Sequence, residues 1–195
     1  MTSLCCARSL QGIVEDGSQR SYFPTGFPFY VYGETLFDSS VTFEALREDY
    51  FFHTFGEKWR DVVIYLENLC DALLFAYLSG LSSSDAVKGK YYNPVIAQQA
   101  AGVRELTQAF KPVIEANRNQ PKRAAAVSWM LLDQHRDYAN GIAEIICHKA
   151  VGDDLGAQDA GKQLCEIFSA REIYLERWYD LFLSYYSLGG LCRQE

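Results

Sequence analysis

The chain has 195 residues, of which 49% are hydrophobic and 14% aromatic, and its formal net charge is −7. A chain of this length and apolar content can form a hydrophobic core without disulfides or metal ions, which excludes an intrinsically disordered protein. The negative charge repels phosphate backbones and anionic lipids, so we expect no nucleic acid and no membrane as partner. No stretch approaches the roughly 18–20 uninterrupted apolar residues that a membrane span requires.

The N-terminal residues and the cysteines indicate a cytoplasmic protein. Residues 1–12 have no basic start and no long apolar run, so they do not read as a secretory signal. The six cysteines form no C-x-x-C pair, and Cys70, Cys147 and Cys165 fall within helical patterns, where a thiol acts as a small apolar group. We therefore predict reduced thiols, although an even number of cysteines is also compatible with disulfides.

The first 40 residues are predicted to form a unit separate from the rest. Gly12–Val14 is typical of a short strand, and Glu15–Ser18 is typical of a turn. Phe27–Phe37 has the composition of a strand, but its apolar residues recur with a helical period and Pro28 suits a first helical turn. We therefore predict a helix over Phe27–Phe37.

Residues 41–195 are predicted to form a bundle of amphipathic helices. Thr42 is expected to cap a helix that stops at Gly56, since Thr favours N-caps and Gly favours C-terminal stops. Further helices are predicted over Glu57–Ser79, Pro94–Ala116 with a kink near Pro112, Pro121–Ala150 and Ala157–Tyr186, with Gly189-Gly190 ending the ordered chain. Short connections favour antiparallel neighbours. The expected fold class is therefore all-α, an antiparallel up-down helical bundle.

The histidines and carboxylates form no motif that predicts a metal centre. None of His53, His135 and His148 follows a glutamate by three positions, as a di-iron bundle requires, and no H-E-x-x-H pattern occurs. Glu144 and His148, one helical turn apart, are interpreted as a surface pair, and Asp153-Asp154 as a solvated loop. Nucleophile elbows and phosphate-binding loops are also absent from the sequence. We predict no metal, no cofactor and no catalytic residue.

Short motifs along the chain carry a family resemblance. Gln19-Arg20 precedes Phe23-Pro24-Thr25, and Tyr30-Val31-Tyr32-Gly33 follows. Further matches are Phe43-Glu44-Ala45-Leu46, Asp49-Tyr50-Phe51, Phe55-Gly56, Ser128-Trp129 with His135 and Tyr138, and Ala150-Val151-Gly152-Asp153. Together they resemble an uncharacterised bacterial family, a domain of unknown function allied to glycoside hydrolases such as α-glucuronidases. The matching region resembles the junction between a (β/α)8 barrel and a C-terminal helical bundle.

The resemblance implies that residues 1–40 are a short remnant of a barrel end and that residues 41–195 are the helical bundle domain. Too few residues precede the junction to form a barrel, so we expect a C-terminal fragment without the catalytic carboxylates. Glu15, Asp16, Gln19 and Arg20 would lie at the barrel rim, with Gln19 suited to sugar hydroxyls and Arg20 to a uronate carboxylate. From the residues alone, these four form an ordinary polar turn.

Two functional hypotheses follow. By resemblance, the bundle packs against a preceding glycoside hydrolase-like barrel, closes one side of its carbohydrate-binding cleft, and shows no hydrolase activity alone. Alternatively, the protein is a free-standing helical interaction module. It would then bind a protein partner through an aromatic strip, since an exposed apolar patch marks an interface. The strip consists of Phe23, Phe27, Phe29, Tyr30 and Phe37.

Overall fold

The computed structural model describes residue 20 and residues 22–192. Within these ranges the chain folds into helices and contains no β-strand, which confirms the predicted all-α class. The predicted strand at Gly12–Val14 lies outside them. The α-helices are α1 (Phe27–Phe37), α2 (Phe43–Phe55), α3 (Trp59–Leu73), α4 (Phe75–Leu78), α5 (Pro94–Ala101), α6 (Val103–Asn117), α7 (Arg123–Lys149), α8 (Asp154–Leu175) and α9 (Leu181–Cys192). None of these helices is long and apolar enough to cross a membrane.

Helix α7 forms the centre of the bundle. It packs against α2, α3, α5, α6, α8 and α9, and its contact with α8 is the most extensive in the described part of the chain. Its inward residues are fully or almost fully buried, because the helix has neighbours along most of its length. These residues are Trp129, Leu131, Leu132, Ala139, Ile142, Ala143, Ile145 and Ile146.

Helices α7 and α8 run antiparallel, as the short connection between them predicts. The Arg171 guanidinium donates to Gln134 Oε1 at 2.8 Å. Later in α7 and earlier in α8, Gly141 faces Leu164. A Cβ atom on Gly141 would lie 2.5 Å from Leu164 Cδ1. The absence of a side chain at Gly141 therefore allows the two helices to approach this closely.

Local signals predicted the first two helices correctly. Helix α1 has the predicted bounds, with Pro28 in its first turn. Helix α2 begins after Thr42, whose Oγ1 accepts the Ala45 backbone N–H at 3.2 Å and so satisfies one of the free donors at the helix start. Gly56, with φ of 62°, ends the helix in the left-handed region that glycine adopts without strain.

The predicted single helix over Glu57–Ser79 is wrong. A 3₁₀ turn precedes α3, and the chain breaks at Leu74, where φ is 39°, before the short helix α4. The apolar pattern continues across the break because Tyr77 is fully buried, with its ring centroid 5.6 Å from that of Tyr91. Periodicity alone could not separate a straight helix from one that turns to bury Tyr77.

Two other helix boundaries also differ from prediction. The Pro94–Ala116 helix is divided at Gly102 into α5 and α6, and Pro112 lies inside α6. The Ala157–Tyr186 helix ends at Leu175, and a new helix, α9, continues through Gly189-Gly190. Asp180 begins α9, since its Oδ1 accepts the Leu183 backbone N–H at 3.1 Å. Buried leucines on either side of the two glycines, Leu188 and Leu191, secure this last helix against α8 and the core.

The Thr42 cap provides a test of the local contribution to stability. We expect Thr42→Ala to lower the free energy of unfolding by about 1 kcal/mol, because the Ala45 N–H loses its acceptor. Thr42→Ser keeps the hydroxyl and should stay within about 0.5 kcal/mol of the wild type. Urea unfolding followed by circular dichroism measures both values. Equal losses in the two variants would contradict the capping role.

Candidate functional site

Of the four predicted rim residues, the structure describes only Arg20. Glu15, Asp16 and Gln19 lie outside the described residues. The Arg20 guanidinium donates to Asp180 Oδ2 at 2.7 Å, and Asp180 lies in the connection between α8 and α9. In this structure the group predicted to hold a uronate carboxylate is therefore bound to a carboxylate of the bundle itself.

Phe23 anchors the segment between Arg20 and α1. The Tyr22 backbone N–H donates to the Trp178 carbonyl at 3.0 Å, which brings the segment onto the turn after α8. The Phe23 ring then lies among four rings of α7, α8 and that turn, at centroid distances of 5.0 to 6.2 Å and in edge-on arrangements that aromatic pairs favour. These rings belong to His135, Tyr138, Phe168 and Tyr179.

The His135 imidazole, which packs against Phe23, is neutral. Its Nδ1 is closed off from solvent and has no hydrogen-bond partner among the described residues. Burial lowers the pKa of the imidazole to about 4, because a charged ring would lose its hydration there. At neutral pH, His135 therefore acts as an uncharged packing group against Phe23, whose ring centroid is 5.6 Å away.

Helix α1 is unusual in that it is strongly apolar yet contains no buried residue. Its inner face lies on α2, with the Phe27 ring centroid 5.0 Å from that of Phe51 and 5.4 Å from that of Tyr50. Its outer end is open to solvent, and Phe37 is 96% exposed. The exposed apolar residues of α1 and of the segments directly flanking it form what we term the α1 surface: Tyr22, Leu36, Phe37 and Phe43.

The predicted aromatic strip divides into inward and outward residues. Phe23 and Phe27 are partly buried and pack against the core, and Phe29 lies against Tyr22 at a centroid distance of 5.2 Å. The Tyr30 hydroxyl donates to the Asp49 carboxylate, and this hydrogen bond raises the pKa of the phenol to about 12. Of the five residues, Phe37 is the one that the structure leaves almost fully exposed.

A groove of about 480 Å³ runs between α5, α6, α7 and α8, and we term it the α5–α8 groove. Small side chains form its floor, among them Ala100, Ala143 and Ala160. Leu164 and Ile167 of α8 add an apolar wall. Its polar lining residues come from α6, α7 and α8 and are Arg104, Asp137, Asn140, Glu144, Gln163 and Arg171.

Charges in and beside the groove fall into a paired and an unpaired group. Arg171 donates to Asp137 Oδ2 at 2.9 Å, and the adjacent Arg136 contacts both Asp133 and Asp137. By contrast, the side chains of Arg104, Glu144 and Gln163 form no hydrogen bond or ion pair within the described part of the chain. Sequence reasoning missed this groove, because its lining residues come together only when α5, α6 and α8 pack around α7.

The predicted Glu144–His148 pair does not form. His148 Nδ1 lies 2.7 Å from Asp153 Oδ2 instead, and Asp153 Oδ1 accepts the Gly156 N–H at 3.0 Å as the N-cap of α8. The Gly156 N–H and His148 both lower the pKa of the Asp153 carboxyl, the first more strongly. Asp154 accepts from the buried Lys149 at 2.6 Å. The α7–α8 turn is exposed, as expected, and the two aspartates hold it together through these contacts.

Neither a metal centre nor a known relative indicates a function. Among the residues that the structure describes, no group of three or more His, Cys, Asp or Glu side chains is placed to hold a metal ion. No protein-family model, curated protein or solved structure matches the chain. The function must therefore be argued from the geometry of the N-terminal anchor, the α1 surface and the α5–α8 groove.

Two phenylalanines of the predicted strip provide a matched test of the anchor. We expect Phe23→Ala to lower the free energy of unfolding by about 3 kcal/mol, because it empties a site enclosed by four rings. Phe37→Ala removes the same group from an exposed position and should change stability by less than about 0.5 kcal/mol. Urea unfolding compares the two, and similar losses would show that the anchor does not pack as described.

His135 provides a pH-dependent test. Its folded pKa lies below the ordinary histidine value of 6.5, so the unfolded chain binds the proton more readily and stability falls as the pH drops from 6.5 towards 4. We expect His135 to account for a loss of about 2 kcal/mol between pH 6.5 and pH 4.5. The measurement is urea unfolding of the wild type and His135→Gln across this range, since the difference between the two slopes isolates His135 from the carboxylates. Parallel slopes would contradict the neutral, buried state.

Proposed function

We propose that the protein is a C-terminal helical accessory region of a carbohydrate-active, glycoside hydrolase-like protein and has no hydrolase activity on its own. Its role is to pack against a preceding catalytic barrel through the α1 surface. The family resemblance of the sequence supplies the carbohydrate-active partner. The observation that supports this proposal is that the segment from Arg20 to α1 is anchored on the bundle and leads directly into α1, an apolar helix without a buried residue.

The anchored segment supports a fixed junction rather than a flexible tether. Arg20 is paired with Asp180, the Tyr22 N–H is bonded to the Trp178 carbonyl, and Phe23 is enclosed by rings. Three contacts within four residues hold the polypeptide against the connection between α8 and α9. A domain joined ahead of this segment would therefore be held close to the bundle, in a restricted orientation.

The α1 surface supports packing against another protein surface. Single exposed apolar residues are ordinary, but a helix that is apolar on all sides is normally buried. Helix α1 has one side on α2 and exposes Leu36 and Phe37 on the other. A neighbouring domain that packs on these exposed side chains would bury them.

A free-standing interaction module is the second candidate, and a different surface favours it. The end of α8 and the helix α9 expose four large apolar side chains, each about three-quarters accessible. These are Ile173, Tyr174, Phe182 and Tyr186. Aromatic residues of this kind are enriched in protein interfaces, and this patch would not require a barrel as the partner.

The accessory role predicts a context-dependent effect of one substitution. The coding DNA upstream of codon 1 should contain a barrel-coding frame that leads into Gly12, directly or through one frameshift. In a protein that joins this frame to the chain, Phe37→Glu should lower the free energy of unfolding by about 2 kcal/mol or more, because it places a charge in an apolar interface. In the chain alone, the same change should stay within about 0.5 kcal/mol, because Phe37 is exposed.

Phe75→Glu is the matched control, since Phe75 is 83% exposed on α4 and does not belong to the α1 surface. It should be neutral in both proteins. Calorimetric and urea unfolding provide the readouts. A promoter and ribosome-binding site directly before Met1, with no barrel-coding frame upstream, would contradict the accessory role and favour the interaction module.

A further inference from the structure

The α5–α8 groove has the size of a small-molecule site. Its volume of about 480 Å³ falls within the range of roughly 300–1,000 Å³ typical of ligand clefts. The space exists because the residues facing it from α5, α7 and α8 are small, so the helices meet without filling the gap between them. These residues are Ala100, Ala143 and Ala160.

The walls of the groove are fixed relative to one another. The Thr107 hydroxyl, which is fully buried, donates to the Arg104 carbonyl at 2.9 Å and lies 3.0 Å from the Asn140 side-chain oxygen. This contact joins the first turns of α6 to the middle of α7. Arg104 and Asn140 therefore lie on two helices that are held against each other. This lowers the entropy cost of ordering the groove when a ligand binds.

The charges of the groove select the chemistry of its ligand. Arg171 and Asp137 pair at 2.9 Å, whereas Arg104 and Glu144 are exposed side chains that form no ion pair in the described part of the chain. A simple anion would meet Glu144 and Asp137, and a simple cation would meet Arg104 and Arg171. A small molecule that carries both charges satisfies the two open groups together.

We propose that the α5–α8 groove binds a small zwitterion, an α-amino acid or a dipeptide. Arg104 holds its carboxylate, while Glu144 holds its ammonium group. Leu164 and Ile167 provide an apolar wall for an aliphatic side chain. This inference is independent of the proposed accessory role, because it depends on residues remote in sequence from α1.

Isothermal titration calorimetry of the full chain tests the proposal with four probes. Free leucine and glycyl-leucine carry both charges, whereas isocaproate lacks the ammonium group and isoamylamine lacks the carboxylate. We expect at least one zwitterion to bind, with each single-charge probe at least about tenfold weaker, since a charge-assisted contact is lost. Tighter binding of leucine would indicate an amino acid site, and tighter binding of glycyl-leucine would indicate a peptide site.

Two substitutions locate the binding in the groove. Arg104→Gln and Glu144→Gln should each weaken the zwitterion at least about tenfold. Arg118→Gln, just beyond α6, and Glu172→Gln, on α8, are exposed charge-matched controls outside the lining and should leave the affinity unchanged. Thermal unfolding by circular dichroism confirms that all four variants fold. Binding of neither zwitterion, equal binding of isocaproate, or affinity unaffected by both groove substitutions would overturn the proposal.

Discussion

Burial along the length of α7 is the constraint on which the rest of the structure depends. The helix contributes completely buried residues from Trp129 near its start to Ile146 near its end, and six other helices lie against it. Because core packing is close, the neighbours of α7 have little freedom to slide or rotate. The backbone positions from which α7 presents polar side chains to its neighbours are therefore fixed.

The α5–α8 groove follows from this arrangement. Gly102 divides the chain into α5 and α6, so each approaches α7 separately, with Cys147 near Ala97 and Asn140 near Thr107. On the other side, Gly141 brings α8 close to α7 beside the groove. Half-buried ion pairs such as Arg136 with its two aspartates add little net stability because of their desolvation cost. Their clearer effect is to fix the position of Asp137 in the groove lining.

Sequence reasoning was most successful where the deciding signal was local. The cap at Thr42, the stop at Gly56 and the first-turn Pro28 gave the bounds of α1 and α2. It was wrong where tertiary packing set the geometry, as at Leu74, because burial of Tyr77 continues the apolar period through a break. The α5–α8 groove was not predicted at all, since a cavity depends on which small residues face one another across separate helices.

One turn of α8 connects the N-terminal anchor to the groove. The Phe168 ring packs against Phe23 at a centroid distance of 6.2 Å, and the Arg171 guanidinium lies 5.5 Å from the centroid of the same ring. Arg171 also holds Asp137 in the groove lining. Phe168 and Arg171, one turn apart on α8, therefore join the rings around Phe23 to a carboxylate of the groove lining.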